Sequence, residues 1–122
     1  DTPLGMSKWQ FYSNLPDHTG NVGQFSMANE PSLHIPYLYN YAGQPWKTQK
    51  RIRTLLDQWF RNDLMGVPGD EDGGGMSAFV AFSQMGFYPV TPGSPTYNIG
   101  SPVFSDIKID MGGGNTFEIK AN

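Results

Sequence analysis

Met76-Ser77-Ala78-Phe79-Val80-Ala81-Phe82-Ser83-Gln84-Met85-Gly86 is apolar on nearly every side. A helix with that pattern is buried all round rather than amphipathic. From Phe87 the pattern changes. Pro89, Pro92, Gly93, Pro95, Gly100 and Pro102 bracket short extended pieces. Ile107, Ile109 and Met111 then alternate with polar residues, and Phe117 and Ile119 do the same after Gly112-Gly113-Gly114-Asn115. That spacing predicts a hairpin with a glycine-rich turn. The chain therefore reads as α+β, with a helical part over residues 1–86 and a β segment over 87–122.

Upstream, Ile52, Leu55, Leu56, Trp59 and Phe60 sit at i, i+3, i+4, i+7 and i+8. They predict a helix over 47–64 whose stripe needs a partner surface, with Gly66 ending it. Residues 31–42 predict a second helix in which Leu33, Tyr37, Leu38 and Tyr41 share a face. Asn29 is its expected cap, and Glu30 and Pro31 fall in its first turn. Pro36 is awkward inside it, because an interior proline loses a hydrogen bond and kinks a helix. Residues 1–29 read mostly as loop, with one short helix expected near 5–13. The helix at 76–86 expects neighbours on every side, a first sign that the chain belongs to something larger.

The 122 residues carry 8 Lys+Arg against 11 Asp+Glu, a formal net charge of −3. An acidic chain without basic clusters does not suit a nucleic-acid surface, which needs cations to neutralise phosphates. No apolar run reaches the ~20 residues of a membrane span. Cysteine is absent, which excludes disulfides and thiolate metal sites. The chain starts Asp1-Thr2-Pro3 without an initiator Met or a signal-peptide pattern, as expected of a mature or excised piece.

Gly69-Asp70-Glu71-Asp72-Gly73-Gly74-Gly75 precedes the apolar helix. Its ordinary reading is an acidic turn at a helix N-terminus, worth ~0.3–1 kcal/mol. Three glycines exceed what a cap needs and allow close approach of a backbone or ligand. Asp70 and Asp72, two apart in an extended loop, would project to one side and share a water, a cation or a sugar. An EF-hand starting at Asp70 fails, because Gly74 and Ala81 stand at its fifth and twelfth positions. No Gly-Lys-Ser/Thr follows, so this is not a phosphate loop.

Asn29-Glu30-Pro31-Ser32-Leu33-His34 is the second constellation. Glu30 and His34 face the same way if a helix has begun. Only His18 could accompany His34, which makes a zinc site weak. Ser94, Ser101 and Ser105 lack a nucleophile elbow, which argues against a serine hydrolase.

The block Asn29-Glu30-Pro31-Ser32-Leu33-His34-Ile35-Pro36-Tyr37, continuing through Gly43-Gln44-Pro45-Trp46-Lys47-Thr48-Gln49, resembles a signature of the glycoside hydrolase family 92 α-mannosidases. So do Gly66-Val67-Pro68-Gly69-Asp70-Glu71-Asp72-Gly73-Gly74-Gly75-Met76-Ser77-Ala78-Phe79 and Met85-Gly86-Phe87-Tyr88-Pro89-Val90. The departures are Ala28 where Gly is usual, Leu33 where His is frequent and Phe79 where Trp is common.

The resemblance implies an exo-acting, inverting, calcium-dependent α-mannosidase acting on terminal mannose of glycans. It implies helices from the C-terminal part of an (α/α)6 barrel followed by a short antiparallel β segment. It matches Asp72 to the general base, assisted by Asp70. It places Asn29 and Glu30 in the calcium shell or at the sugar, without assigning individual ligands, and His34 at the sugar. The general acid lies in a family motif with no counterpart here, so this chain alone is expected to be inactive. The resemblance implies a parent that is secreted, periplasmic or on the cell surface. The competing readings are a piece that self-associates through exposed barrel helices, and a calcium- or carbohydrate-binding module without activity.

Overall fold

The structure, a computed structural model, describes residues 25–64, 66–69 and 71–121. The helix expected near 5–13, His18 and Asp70 lie outside the described residues. The helical part comprises two 3-10 turns at Glu30–Ser32 and Ile35–Tyr37, then α1 (Leu38–Tyr41), α2 (Pro45–Trp59) and α3 (Gly75–Met85). After it come β1 (Phe87–Tyr88), β2 (Asn98–Ile99), β3 (Asp106–Gly112) and β4 (Asn115–Lys120). The α+β class follows from these elements.

The long helix expected at 31–42 is broken. Pro36 has no N–H to give to the preceding turn, and the segment splits into two 3-10 turns and a four-residue helix. Leu33 and Tyr37 still face the core, but Leu38 and Tyr41 are exposed. Thr48 closes the break by donating its hydroxyl to the Pro36 carbonyl at 3.1 Å.

In α2, Ile52, Leu55 and Leu56 are buried as the stripe requires. The helix stops at Trp59 rather than 64, because Phe60 turns extended (φ −117°, ψ 132°) and lays its ring near Phe79 at 6.2 Å. Gly66 closes the turn after it: its N–H bonds Asp63 O, its carbonyl accepts from Arg61 N, and a Cβ there would strike the Arg61 carbonyl.

The core joins Met27, Leu33, Tyr37, Ile52, Leu55, Leu56, Met76 and Phe79. Helix α3 is not buried all round: Met76, Phe79 and Ser83 are inside, while Ser77, Ala78 and Ala81 are exposed. It ends at Gly86 (φ 93°), where the chain turns against Pro102. Strands β1 and β2 then pair antiparallel, with Phe87 opposite Ile99. Tyr88 carries the β ribbon onto the core by stacking on Tyr37 at 5.0 Å. Strands β3 and β4 form the hairpin, pairing Ile107 with Ile119 and Ile109 with Phe117, with a bulge between Asp110 and Gly112. Phe117 and Met111 remain exposed.

Candidate active site

The two constellations meet. Gly69 lies so close to Ala28 that an added Cβ would come within 2.7 Å of the Ala28 Cβ and 2.8 Å of its carbonyl oxygen. Gly75 lies over Glu30, whose Cγ would be 3.5 Å from a Cβ at that position. Glycine at 69 (φ 75°) therefore serves the approach as well as the turn. The Asn29-Glu30 turn and the start of α3 form one surface, bridged by the 69–75 loop.

The loop is not extended at Asp72. Its φ is 45°, and Gly73 (65°) and Gly74 (95°) continue on the left-handed side. A left-handed non-glycine residue costs energy that surrounding contacts must supply, and Asp tolerates it better than most.

Those contacts are hydrogen bonds at the start of α3. The first N–H groups of a helix lack intrahelical partners. Here Gly75 N donates to Asp72 O (3.2 Å), Met76 N to Glu71 O (3.4 Å) and Ala78 N to Gly74 O (2.9 Å). Ser77 N donates to the Glu71 carboxylate, 3.1 Å to Oε2 and 3.3 Å to Oε1. The two described acids thus divide. Glu71 caps the helix, as the ordinary reading of an acidic turn requires. Asp72 sits exposed at the apex, and among the described residues no lysine or arginine pairs with it.

The other expected residues take separate positions. Asn29 precedes the first 3-10 turn without a side-chain cap bond among the described residues. Its Nδ2 reaches Ser32 Oγ at 3.5 Å, and its carbonyl accepts from Ser32 N at 2.8 Å. Glu30 turns its Oε1 away from solvent, whereas His34 is exposed, so the shared helical face expected for the pair does not form. Glu71 as a loop fastener was missed by sequence reasoning. Its signal was an acid placed before three glycines, far enough back to reach over them to the helix start.

Among the described residues no group of three or more His, Asp or Glu could hold a metal ion. Calcium takes roughly six to eight oxygen ligands. Glu30 and Asn29 carry oxygen donors of the type calcium takes. A cleft of about 420 Å³ runs between α2 and α3 past Phe60, Arg61 and Ser77. A second, of about 690 Å³, is lined by Phe25, Ile35, Leu38 and Leu55. Neither is lined by Asp72 or Glu30.

The glycosyl hydrolase family 92 catalytic domain profile matches residues 5–122. This chain belongs to glycosyl hydrolase family 92. An α-mannosidase of the family from Bacteroides thetaiotaomicron, in complex with mannoimidazole, superposes with a TM-score of 0.78 at 44% identity over 85% of this chain and 14% of that one. A family 92 inverting mannosidase of the same species superposes at 0.69, with 47% identity over 76% of this chain and 13% of that one. A protein of Arthroderma benhamiae, described as an uncharacterized secreted glycosidase, is 38% identical over 92 residues, which are 75% of this chain and 12% of that protein. This family 92 chain thus spans only a small part of these relatives. No helix among its described residues is long and apolar enough to cross a membrane.

Proposed function

We propose that this chain carries the general-base half of an inverting exo-α-mannosidase site acting on terminal mannose of glycans. The observation that carries the reading is the approach of Gly69 to Ala28 and of Gly75 to Glu30, which brings the two constellations together and leaves Asp72 exposed. In an inverting glycosidase one carboxylate takes a proton from water while that water attacks the anomeric carbon. A carboxylic acid on the opposite side protonates the leaving oxygen, and the two groups stand ~6.5–9.5 Å apart. Asp72 is the base, and Asp70 assists it. The acid comes from outside this chain.

Glu30 and Asn29 would help hold a calcium ion, which orients the sugar hydroxyls and favours ring distortion. Glu30, Asn29 and His34 border the place of the sugar. As in the Arthroderma relative, a secreted setting fits this chemistry. The helices derive from the C-terminal part of an (α/α)6 barrel, with 87–122 as its β appendage.

The test is a chimaera in which this chain replaces the matching segment of the 44%-identical Bacteroides mannosidase. The chimaera should hydrolyse an α-mannoside with inversion, and Asp72→Asn should lower kcat roughly 10²–10⁴-fold, the scale of a lost general base. An Asp72→Asn chimaera as active as its parent refutes the assignment. The isolated chain should release no mannose.

A second reading draws on Leu38, Trp46, Phe104 and Phe117, which are exposed. They favour association of the isolated chain with its own copies. Light scattering showing a clean monomer at micromolar concentration refutes that reading.

A further inference from the structure

We infer that Glu71 is a positioning residue for Asp72. The inference rests on the reading of Asp72 as the base. Both peptide units that flank the Asp72 Cα are fastened to the start of α3. The unit before it is held through Glu71 O on Met76 N, and the unit after it through Asp72 O on Gly75 N. With both carbonyls hydrogen-bonded, φ and ψ of Asp72 are restrained, and with them the direction of its Cα–Cβ bond.

The backbone bond from Glu71 is long, at 3.4 Å. A bond of that length at the edge of the usual range is weak by itself. The Glu71 carboxylate supplies the reinforcement: it takes Ser77 N in a forked, charge-assisted bond one residue further along the helix. The two attachments of one residue to successive N–H groups prevent its peptide from rotating. At the other end of the loop, Gly69 packs closely against Ala28. Asp72 is therefore held at a positive φ by its neighbour. Its own exposed side chain makes no described ion pair that could do so.

The reach matters more than the charge. Glutamine keeps the length and an acceptor oxygen. Aspartate keeps the charge and loses one methylene. Alanine loses both. In the labelled 122-residue chain, a strong intraresidue Hα–HN cross-peak at Asp72 reports the positive φ. We expect Glu71→Ala and Glu71→Asp to lose that peak and to shift the Gly73 and Gly74 amides. We expect Glu71→Gln to keep both. The ring signals of the stacked Tyr37 and Tyr88 should stay in place in all three variants, which separates loop release from unfolding. If Glu71→Ala and Glu71→Asp both retain the Asp72 peak, the inference is overturned.

The mannosidase chimaera separates this from the parent reading. Full turnover by Asp72→Asn overturns the reading and the inference together. Loss of turnover by Asp72→Asn, with Glu71→Ala keeping the parental kcat, overturns the inference alone.

Discussion

Replacing Tyr37 by phenylalanine removes one oxygen from the centre of the fold and exposes its cost in two ways. The Tyr37 hydroxyl and Ser83 Oγ are 2.9 Å apart, and both residues are buried. The variant leaves the Ser83 hydroxyl enclosed without its partner, a loss of about 1–3 kcal/mol near neutral pH. The second effect runs with pH. Burial pushes the Tyr37 phenol up to about 12, against a partial lowering by the Ser83 hydrogen bond and a further raising by Tyr88.

Below pH ~10 folded and unfolded chains both keep the phenol protonated, and its stabilisation is complete. Between about 10 and 12 the unfolded chain releases the proton while the folded chain retains it. Stability then falls by about 1.4 kcal/mol per pH unit, or about 3 kcal/mol over the interval. Phenylalanine has no proton to lose. The disadvantage of Tyr37→Phe should therefore shrink above pH ~10 and disappear as the solution approaches pH 12. Tyr88, whose phenol burial also raises, tilts both proteins alike.

Urea unfolding of the two chains, compared at neutral pH and stepwise into the alkaline range, measures the difference directly. The double variant Tyr37→Phe/Ser83→Ala should cost less than the two single losses added, by about 1 kcal/mol. A stability difference between the parent chain and Tyr37→Phe that stays constant through the alkaline series would refute the buried placement of this phenol.

Three further outcomes follow from single contacts. Gly86→Ala places a Cβ at φ 93° and within 2.7 Å of Pro102 Cδ and N. It should cost about 1–3 kcal/mol from the backbone alone, with steric displacement added, as read by the unfolding midpoint. Thr48→Val keeps the volume and removes the donor to the Pro36 carbonyl. It should cost about 1 kcal/mol in urea unfolding. Gly69→Ala forces the loop off Ala28. It should shift the amides of residues 71–75 and lower stability by about 1–3 kcal/mol, whereas Gly73→Ala, with open space around it, should leave the Ala28 signals in place.

The elements that sequence made legible are those whose side chains repeat. The stripe Ile52, Leu55 and Leu56 set α2, and the alternation of Ile107 and Ile109 set β3. What was hidden depended on single backbone events. Phe60 continues the helical spacing of apolar residues, yet its place beside Phe79 requires an extended backbone. Periodicity cannot separate those outcomes. Pro36 warned of a break, but the warning did not say that two 3-10 turns would follow. The uniformly apolar α3 promised burial all round, and the described neighbours cover only one side of it. At the candidate site, composition marked the acids as a group. Their division required knowing that Asp72 and the glycines after it turn left-handed, which brings Glu71 back to Ser77 and leaves Asp72 at the apex.

That division bears on how far the site can be assembled from this chain. The bonds that shape the loop connect residues 71–74 to 75–78, and the close approach that anchors it joins Gly69 to Ala28. All of these lie on elements that share the core of Leu33, Tyr37, Ile52, Met76 and Phe79. The backbone of Asp72 is therefore shaped by contacts within the chain. An inverting reaction asks more than one placed carboxylate, because its rate depends on a second carboxyl group across the sugar. A preorganised base alone orders a water without giving the leaving group a proton. The loop should thus keep its conformation in the isolated chain while turnover stays absent, and an ordered loop with no hydrolysis is the signature that separates a divided site from a misfolded one.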